Sequence, residues 1–216
     1  MDIEDFLTKQ EEVYARFRNT SKVQSEGTKP NLPNQQGGYL IIFKHAEEIS
    51  EKIGDFSRKI SQSIPLMAYD SKTIHTTISD YNISEIFNPD KNILDNICDS
   101  VNSIAVGKLK IGYNEWLYNQ DTVLVAGYPN EIFLDISKSI YWSAIQKGIN
   151  LRMPWGAHIT AGRFTKQKSP NDLSDFFKLM KETPKIGISN PKIIDVGYFS
   201  FGKKGFTINT YEKFVI

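Results

Sequence analysis

The sequence predicts a mixed α and β domain made of two equivalent halves, preceded by a short extension. Three observations carry this. Along residues 39–216 the chain reads strand, helix, strand, helix, strand, and then repeats that order. The middle strand of each unit carries a histidine followed two residues later by a threonine: His75 with Thr77, and His158 with Thr160. The 216 residues are 40% hydrophobic and 24% charged, an ordinary globular balance at a length that supports a real core.

The elements follow in order. Residues 2–18 read as an amphipathic helix, with Ile3, Phe6, Leu7, Val13, Tyr14 and Phe17 along one stripe. Residues 19–38 are polar and rich in Pro and Gly, and read as a linker. Residues 1–38 are therefore an extension, either a helix docked on the domain surface or a lid over its site. Residues 39–44 (YLIIFK) are a strand and 47–63 a helix, with Ile49, Ile53, Phe56 and Ile60 at helical spacing. A strand over 74–81, a helix over 92–104 and a strand over 108–113 complete the first unit. The second unit runs through a strand at 122–127, a helix at 130–147, a strand at 157–164, a helix at 171–182 and a strand at 192–201. Residues 202–205 turn the chain into a closing strand, 206–216. The duplicated body is 39–216, with lobes of roughly 39–120 and 121–216 that could exchange strands.

Composition removes several function classes. Twenty-six Lys and Arg against twenty-five Asp and Glu give a net charge of +1, so any nucleic-acid partner is short or gripped at one spot. One cysteine, Cys98, rules out an intrachain disulfide and a cysteine-built zinc site. The sequence holds no metal-ligand motif, and no metal or other cofactor is expected. No run of about 18 apolar residues exists, so no helical membrane span is expected. The acidic start MDIEDFLTKQ lacks the order of a secretory signal, and the expected setting is the cytoplasm.

The histidine strands carry the chemistry. Side chains alternate between the faces of a strand. His75, Thr77 and Ser79 therefore share one face, while Ile74, Thr76 and Ile78 take the other. In the second strand His158, Thr160 and Gly162 share a face, opposite Ala157, Ile159 and Ala161. A face bearing imidazole and hydroxyl, with no large apolar group, makes a poor core and a good cleft wall. Imidazole titrates near neutrality, so a histidine pair can supply one base and one acid at the same pH. Two imidazoles and two hydroxyls around a phosphodiester could deprotonate a nucleophile, protonate the leaving oxygen and stabilise the developing charge. The third histidine, His45, lies outside this pattern and reads as a surface residue.

Paired His-x-Thr strands, one in each half of a duplicated unit, resemble the 2H phosphoesterase superfamily. Its members include RNA 2′,5′-ligase-like enzymes, 2′,3′-cyclic nucleotide phosphodiesterases, and enzymes that cleave 2′,5′-oligoadenylate or cyclic oligonucleotide signals. The resemblance covers about residues 38–216. HITAGRF is similar to the family's usual His-hydrophobe-Thr-x-x-Arg pattern, whereas HTTISDY departs from it, with Thr76 where a hydrophobe is usual. Alternation alone would suggest a parallel sheet. The resemblance implies instead an α+β fold of two pseudo-twofold-related lobes, each a mostly antiparallel sheet with outer helices, and the active-site cleft between them.

The resemblance further implies metal-independent hydrolysis of a phosphodiester, with His75 as acid and His158 as base for ring-opening, and with Thr77 and Thr160 on the non-bridging oxygens. The expected substrates are small nucleotides: 2′,3′-cyclic phosphates, 2′–5′ or 3′–5′ linked oligonucleotides, or cyclic oligonucleotide signals. An RNA 2′,5′-ligase or 3′-end processing enzyme, and a catalytically silent nucleotide- or RNA-binding module, are the alternatives. Candidate substrate contacts are Tyr81, Trp155 and Phe164, on which a base could stack, with Tyr128 as a further aromatic. Lys203 and Lys204 in FGKKGF are a candidate phosphate grip. Strand parity points Arg163 away from His158.

Overall fold

The structure is a computed structural model that describes residues 2–102, 104 and 107–216. Six α-helices run Ile3–Arg18 (α1), Ser21–Glu26 (α2), Glu47–Ser63 (α3), Lys91–Asn102 (α4), Glu131–Gln146 (α5) and Ser174–Lys181 (α6). Nine strands run Gln35–Lys44 (β1), Leu66–Ala68 (β2), Thr76–Ser84 (β3), Ile111–Tyr118 (β4), Thr122–Pro129 (β5), Ile159–Phe164 (β6), Gly187–Ser189 (β7), Ile193–Gly202 (β8) and Gly205–Val215 (β9). Local chemistry explains the helix ends. Asp2 caps α1 by accepting from the Asp5 amide at 2.9 Å, and acidic residues in the first turn and basic ones in the last suit the helix dipole. Ser169 and Asp172 form a capping box around Pro170 just ahead of α6.

The strands form one nine-stranded sheet in the order β7-β4-β5-β6-β3-β1-β8-β9, with β2 pairing β6 off that path. Every pairing is antiparallel. The α+β class and its mostly antiparallel sheet are therefore as expected. Two half-sheets, β3-β1-β8-β9 and β7-β4-β5-β6, meet along a seam where the register pairs Thr76 with Ile159. The first half-sheet draws strands from both ends of the chain, and the second draws its four strands from residues 111–189. The return of β8 to pair β1 over its full length closes the N-terminal half with C-terminal residues.

One face of the sheet builds the main core. Tyr39, Ile41 and Phe43 of β1, Ile78 of β3, Val123 and Val125 of β5, Ile159 and Phe164 of β6, and Ile194 and Val196 of β8 meet helix residues such as Ile53, Ile60, Ile97, Phe133 and Ile140. Helices α4 and α5 pack on each other, α3 covers β2 and β6, and α1 lies against β4 and α5. The opposite face carries two smaller apolar clusters. Leu40, Ile42, Phe199 and Phe201 form one, and Tyr14, Leu117, Leu124 and Ala126 the other.

Several boundaries differ from expectation. The segment 19–38 holds α2 and the start of β1, and Thr28 is buried, with its amide bonded to the Lys168 carbonyl at 3.0 Å. Strand β4 begins later than the expected 108–113 because Asn130 captures the Lys108 carbonyl and the Lys110 amide, so the chain joins the ladder only at Ile111. The short strands β2 and β7 carry too few residues for a period-two pattern to register. The expected helix over 92–104 is α4, and its predicted last turn passes through Ser103, which lies outside the described residues. Among the described residues no helix is long and apolar enough to cross a membrane.

Candidate active site

The two His-x-Thr segments come together at the seam. Thr76 pairs with Ile159, and both point into the core. Extending that antiparallel register by one residue each way sets Thr77 opposite His158 and His75 opposite Thr160. Side chains directly opposite on such a pair have Cβ atoms about 5 Å apart. All four line one cavity of about 790 Å³. Thr77 and Thr160 carry hydroxyls with no hydrogen-bond partner from the protein among the described residues.

A β-bulge follows each motif. In β3, Ile42 of β1 pairs with Thr77 and Ile41 with Ser79, so Ile78 is the extra residue. In β6, Leu124 pairs with Thr160 and Val123 with Gly162, so Ala161 is the extra residue. An extra residue reverses the alternation beyond it. Ser79 consequently turns away from the cavity and bonds the Arg152 carbonyl at 2.7 Å, and Asp80 takes its place on the cavity wall. Arg163, expected to point away from His158, lines the cavity for the same reason. The bulged Ala161 carbonyl is satisfied by the Ser57 hydroxyl of α3 and by the Tyr69 amide at 2.8 Å.

The same reversal decides the aromatic candidates. Phe164 is 1% exposed in the core, edge-on to Phe176 at 5.4 Å, and cannot receive a substrate base. Tyr81 stacks on Tyr39 at 5.9 Å and does not line the cavity. Trp155 does line it, 40% exposed and stacked on the His158 ring at 4.0 Å and 19°. Lys203 and Lys204 sit exposed in the turn between β8 and β9, outside the cavity wall, because a two-residue hairpin turn projects its side chains into solvent. Tyr128 packs on Tyr14 and bonds Arg18 at 2.8 Å, also away from the cavity.

Each candidate histidine lies against an aromatic ring. His75 stacks on Phe206 at 5.7 Å, and Phe206 stacks on Tyr69 at 4.7 Å. Phe199, Phe201 and Leu40 continue this apolar wall, and Arg163 lies over Phe201 at 5.1 Å. Arg163 donates to Thr122 Oγ1 at 3.1 Å, while its buried Nε has no partner. Arg152 and Asp80 pair across the mouth. Sequence alternation could not have found Asp80, Arg163 or Phe206, because each owes its position to a bulge or to the return of β9.

Burial governs the electrostatics. Desolvation lowers His75 to about 4 and His158 to about 3. For His75 the Thr73 carbonyl opposes this, accepting from Nδ1–H at 2.6 Å and leaving Nε2 for the cavity. His158 has no such bond of good geometry at its buried Nδ1, although the Gly156 backbone also opposes its shift.

His45 is not a surface residue. It is 9% exposed, bonded through Nδ1 to Ser189 Oγ at 2.8 Å and through Nε2 to Thr76 Oγ1 at 3.1 Å. Thr76 also bonds the Tyr113 hydroxyl. Burial takes His45 down to about 3, so it stays neutral. This network explains Thr76 at a position where a hydrophobe would be usual. The hydroxyl ties β3, β4, β7 and the end of β1 together directly behind the motif. Among the described residues no group of three or more His, Cys, Asp or Glu side chains could hold a metal ion.

The sequence matches no family model and no curated protein. The fold, however, has relatives among solved structures. A phosphoesterase aligns with a TM-score of 0.59 at 12% identity, over 83% of this chain and 98% of its own. TT0787 of Thermus thermophilus aligns at 0.58 and 12% identity, over 82% and 97%. E. coli LigT complexed with 3′-AMP aligns at 0.54 and 11% identity, over 84% and 98%. At such identities the shared property is the architecture, and this chain has the fold of these solved structures.

Proposed function

We propose that the protein is a metal-independent phosphodiesterase acting on small nucleotides by two-histidine acid–base catalysis. The observation that carries this reading is the seam register, which juxtaposes His75 with Thr160 and Thr77 with His158 on one cavity wall. In ring-opening of a 2′,3′-cyclic phosphate, water attacks phosphorus as His158 takes its proton. The ribose oxygen leaves with a proton from His75. Thr77, Thr160 and Arg163 donate to the non-bridging oxygens, where charge accumulates. The Thr73 carbonyl stabilises the protonated form of His75, as an acid needs, and the Gly156 backbone acts in the same sense on His158. Burial keeps both rings neutral near pH 7. A bound phosphodiester brings negative charge beside them and raises their affinity for the one proton that the acid needs.

The substrate range rests on charge and size. The chain is nearly neutral, and the cavity wall sets Asp80 and Glu85 against Arg152 and Arg163, a poor track for a long phosphate backbone. The E. coli LigT structures hold 3′-AMP, ATP, NADP+ or phosphate, ligands of the size proposed here. The test is to incubate the protein with 2′,3′-cyclic nucleotides, 2′,5′-oligoadenylate, 3′–5′ linked dinucleotides and cyclic di- and trinucleotides, with and without EDTA. Products are resolved by chromatography. EDTA-insensitive hydrolysis of a small nucleotide is expected. Joining of RNA ends instead of hydrolysis would favour the 2′,5′-ligase reading, and binding without turnover would favour a silent module.

A further inference from the structure

Helix α1 carries a polar residue where its apolar stripe should be continuous. Phe6, Gln10, Tyr14 and Arg18 are spaced by four and form a single ridge. Phe6 enters the main core against Phe133 at 5.7 Å. Arg18 bonds Glu115 of β4 and the Tyr128 hydroxyl, each at 2.8 Å. Gln10 and Tyr14, between these anchors, are both fully buried. A buried glutamine needs a reason, since desolvating its amide costs free energy unless partners replace water.

The partner of the Gln10 oxygen lies beside His158, while the buried Gln10 Nε2 has no hydrogen-bond partner among the described residues. Gln10 Oε1 accepts from the Ala157 amide at 2.8 Å, one residue before the histidine. Its side chain fills the space where a Cβ on Gly156 would stand, 2.9 Å from Gln10 Cγ. The Tyr14 hydroxyl accepts from the Gly127 amide at 3.0 Å and donates to the Gly127 carbonyl at 3.2 Å. Gly127 abuts the Ala157 carbonyl so closely that a Cβ there would lie 1.8 Å from its oxygen. The Tyr14 ring also meets Trp155 edge-on, at 5.8 Å and 79°. Trp155 is the ring on which His158 stacks.

The two histidines are thus held with unequal firmness. His75 is fixed by its own hydrogen bond to the Thr73 carbonyl. His158 has no bond of good geometry at Nδ1, feels only the Gly156 backbone there, and depends on the Trp155–Gly156–Ala157 segment that leads into it. We infer that Gln10 and Tyr14 are positioning residues for His158: α1 completes the site from behind rather than closing over it as a lid. The inference rests on the proposed catalytic role of His158. Gln10 orients the backbone entering the histidine, and the Tyr14 ring holds the Trp155 indole against the imidazole.

The test uses the full-length protein with Gln10→Leu, Tyr14→Leu and Tyr14→Phe, and two readouts. The first is hydrolysis of 2′,3′-cyclic AMP. The second is NMR of the histidine rings and tryptophan indoles, assigned with His158→Gln and Trp155→Phe. Gln10→Leu and Tyr14→Leu are expected to lower kcat about tenfold with KM within about twofold, since misorientation of a reacting group acts on the chemical step. They should shift the His158 and Trp155 signals and leave those of His75 in place. Tyr14→Phe keeps the ring edge and should retain most of kcat. Unchanged His158 signals in both Leu variants would overturn the inference, as would equal displacement of the His75 signals. Should Gln10→Leu fail to fold, the Tyr14 pair carries the same comparison. If His158→Gln leaves hydrolysis intact, or wild type turns over neither this probe nor the other nucleotides named above, the catalytic reading fails. The NMR shifts then still decide whether α1 orients the ring.

Discussion

At the scale of single residues, the chemistry is set by where protons sit. Replacement of either His75 or His158 by Ala is expected to lower kcat about a thousandfold, within the range for loss of a general acid or base. Circular dichroism should show an intact fold. A variant that kept wild-type turnover would remove that histidine from the mechanism. Burial makes both rings titrate well below neutrality, so the form carrying one proton becomes scarcer as pH rises. The quantity kcat/KM is therefore expected to fall by about tenfold per pH unit between about pH 6.5 and 8. A flat profile there would contradict the acid–base pairing. Arg163, brought to the cavity by a bulge, is expected to contribute mainly to binding. Arg163→Met should raise KM about tenfold, the scale of a lost hydrogen bond to a charged group. An unchanged KM would show that its guanidinium serves only Thr122 and Phe201.

At the scale of elements, the seam between β3 and β6 is the weak point of the architecture, because one register pair joins the half-sheets there. The buried group formed by His45, Thr76, Tyr113 and Ser189 reinforces that seam from the core side. Thr76→Val keeps the volume and removes the hydroxyl, leaving the buried His45 Nε2 and the Tyr113 phenol with only their long 3.5 Å contact to each other. The expected loss is about 1–3 kcal/mol of unfolding free energy in urea, with Thr76→Ser recovering most of it. A loss below about 0.5 kcal/mol would mean that the network does not stabilise the seam.

At the scale of the whole molecule, three buried imidazoles make stability depend on pH. His45, His75 and His158 are lowered to about 3, about 4 and about 3 in the folded state, against an unfolded value near 6.5. Between these limits the unfolded chain binds protons that the folded chain refuses. Stability is therefore fully present above about pH 6.5 and lost as pH falls toward 4. Thermal unfolding followed from about pH 7.5 to 4.5 should show a steady fall in Tm, with a shallower slope in His45→Asn. Parallel slopes for the two proteins would show that His45 does not contribute to the acid sensitivity.

Elements with strong periodicity and the pair of motifs were legible without coordinates. Helices α1, α3, α4 and α5 bury apolar ridges that any amphipathic reading detects, and the scarcity of histidine made His75 and His158 stand out. Which neighbours serve the cavity depended on how the strands pair. Alternation sent Arg163 outward and left Phe164 free for a substrate, and one unpaired residue at Ala161 reversed both. A bulge is a property of the ladder between two strands, invisible in either strand alone. Gln10 and His45 escaped for a related reason. Their roles are defined by partners 147 and 144 residues away, Ala157 and Ser189, and polar residues carry no periodic mark of whether water or a distant backbone amide will satisfy them.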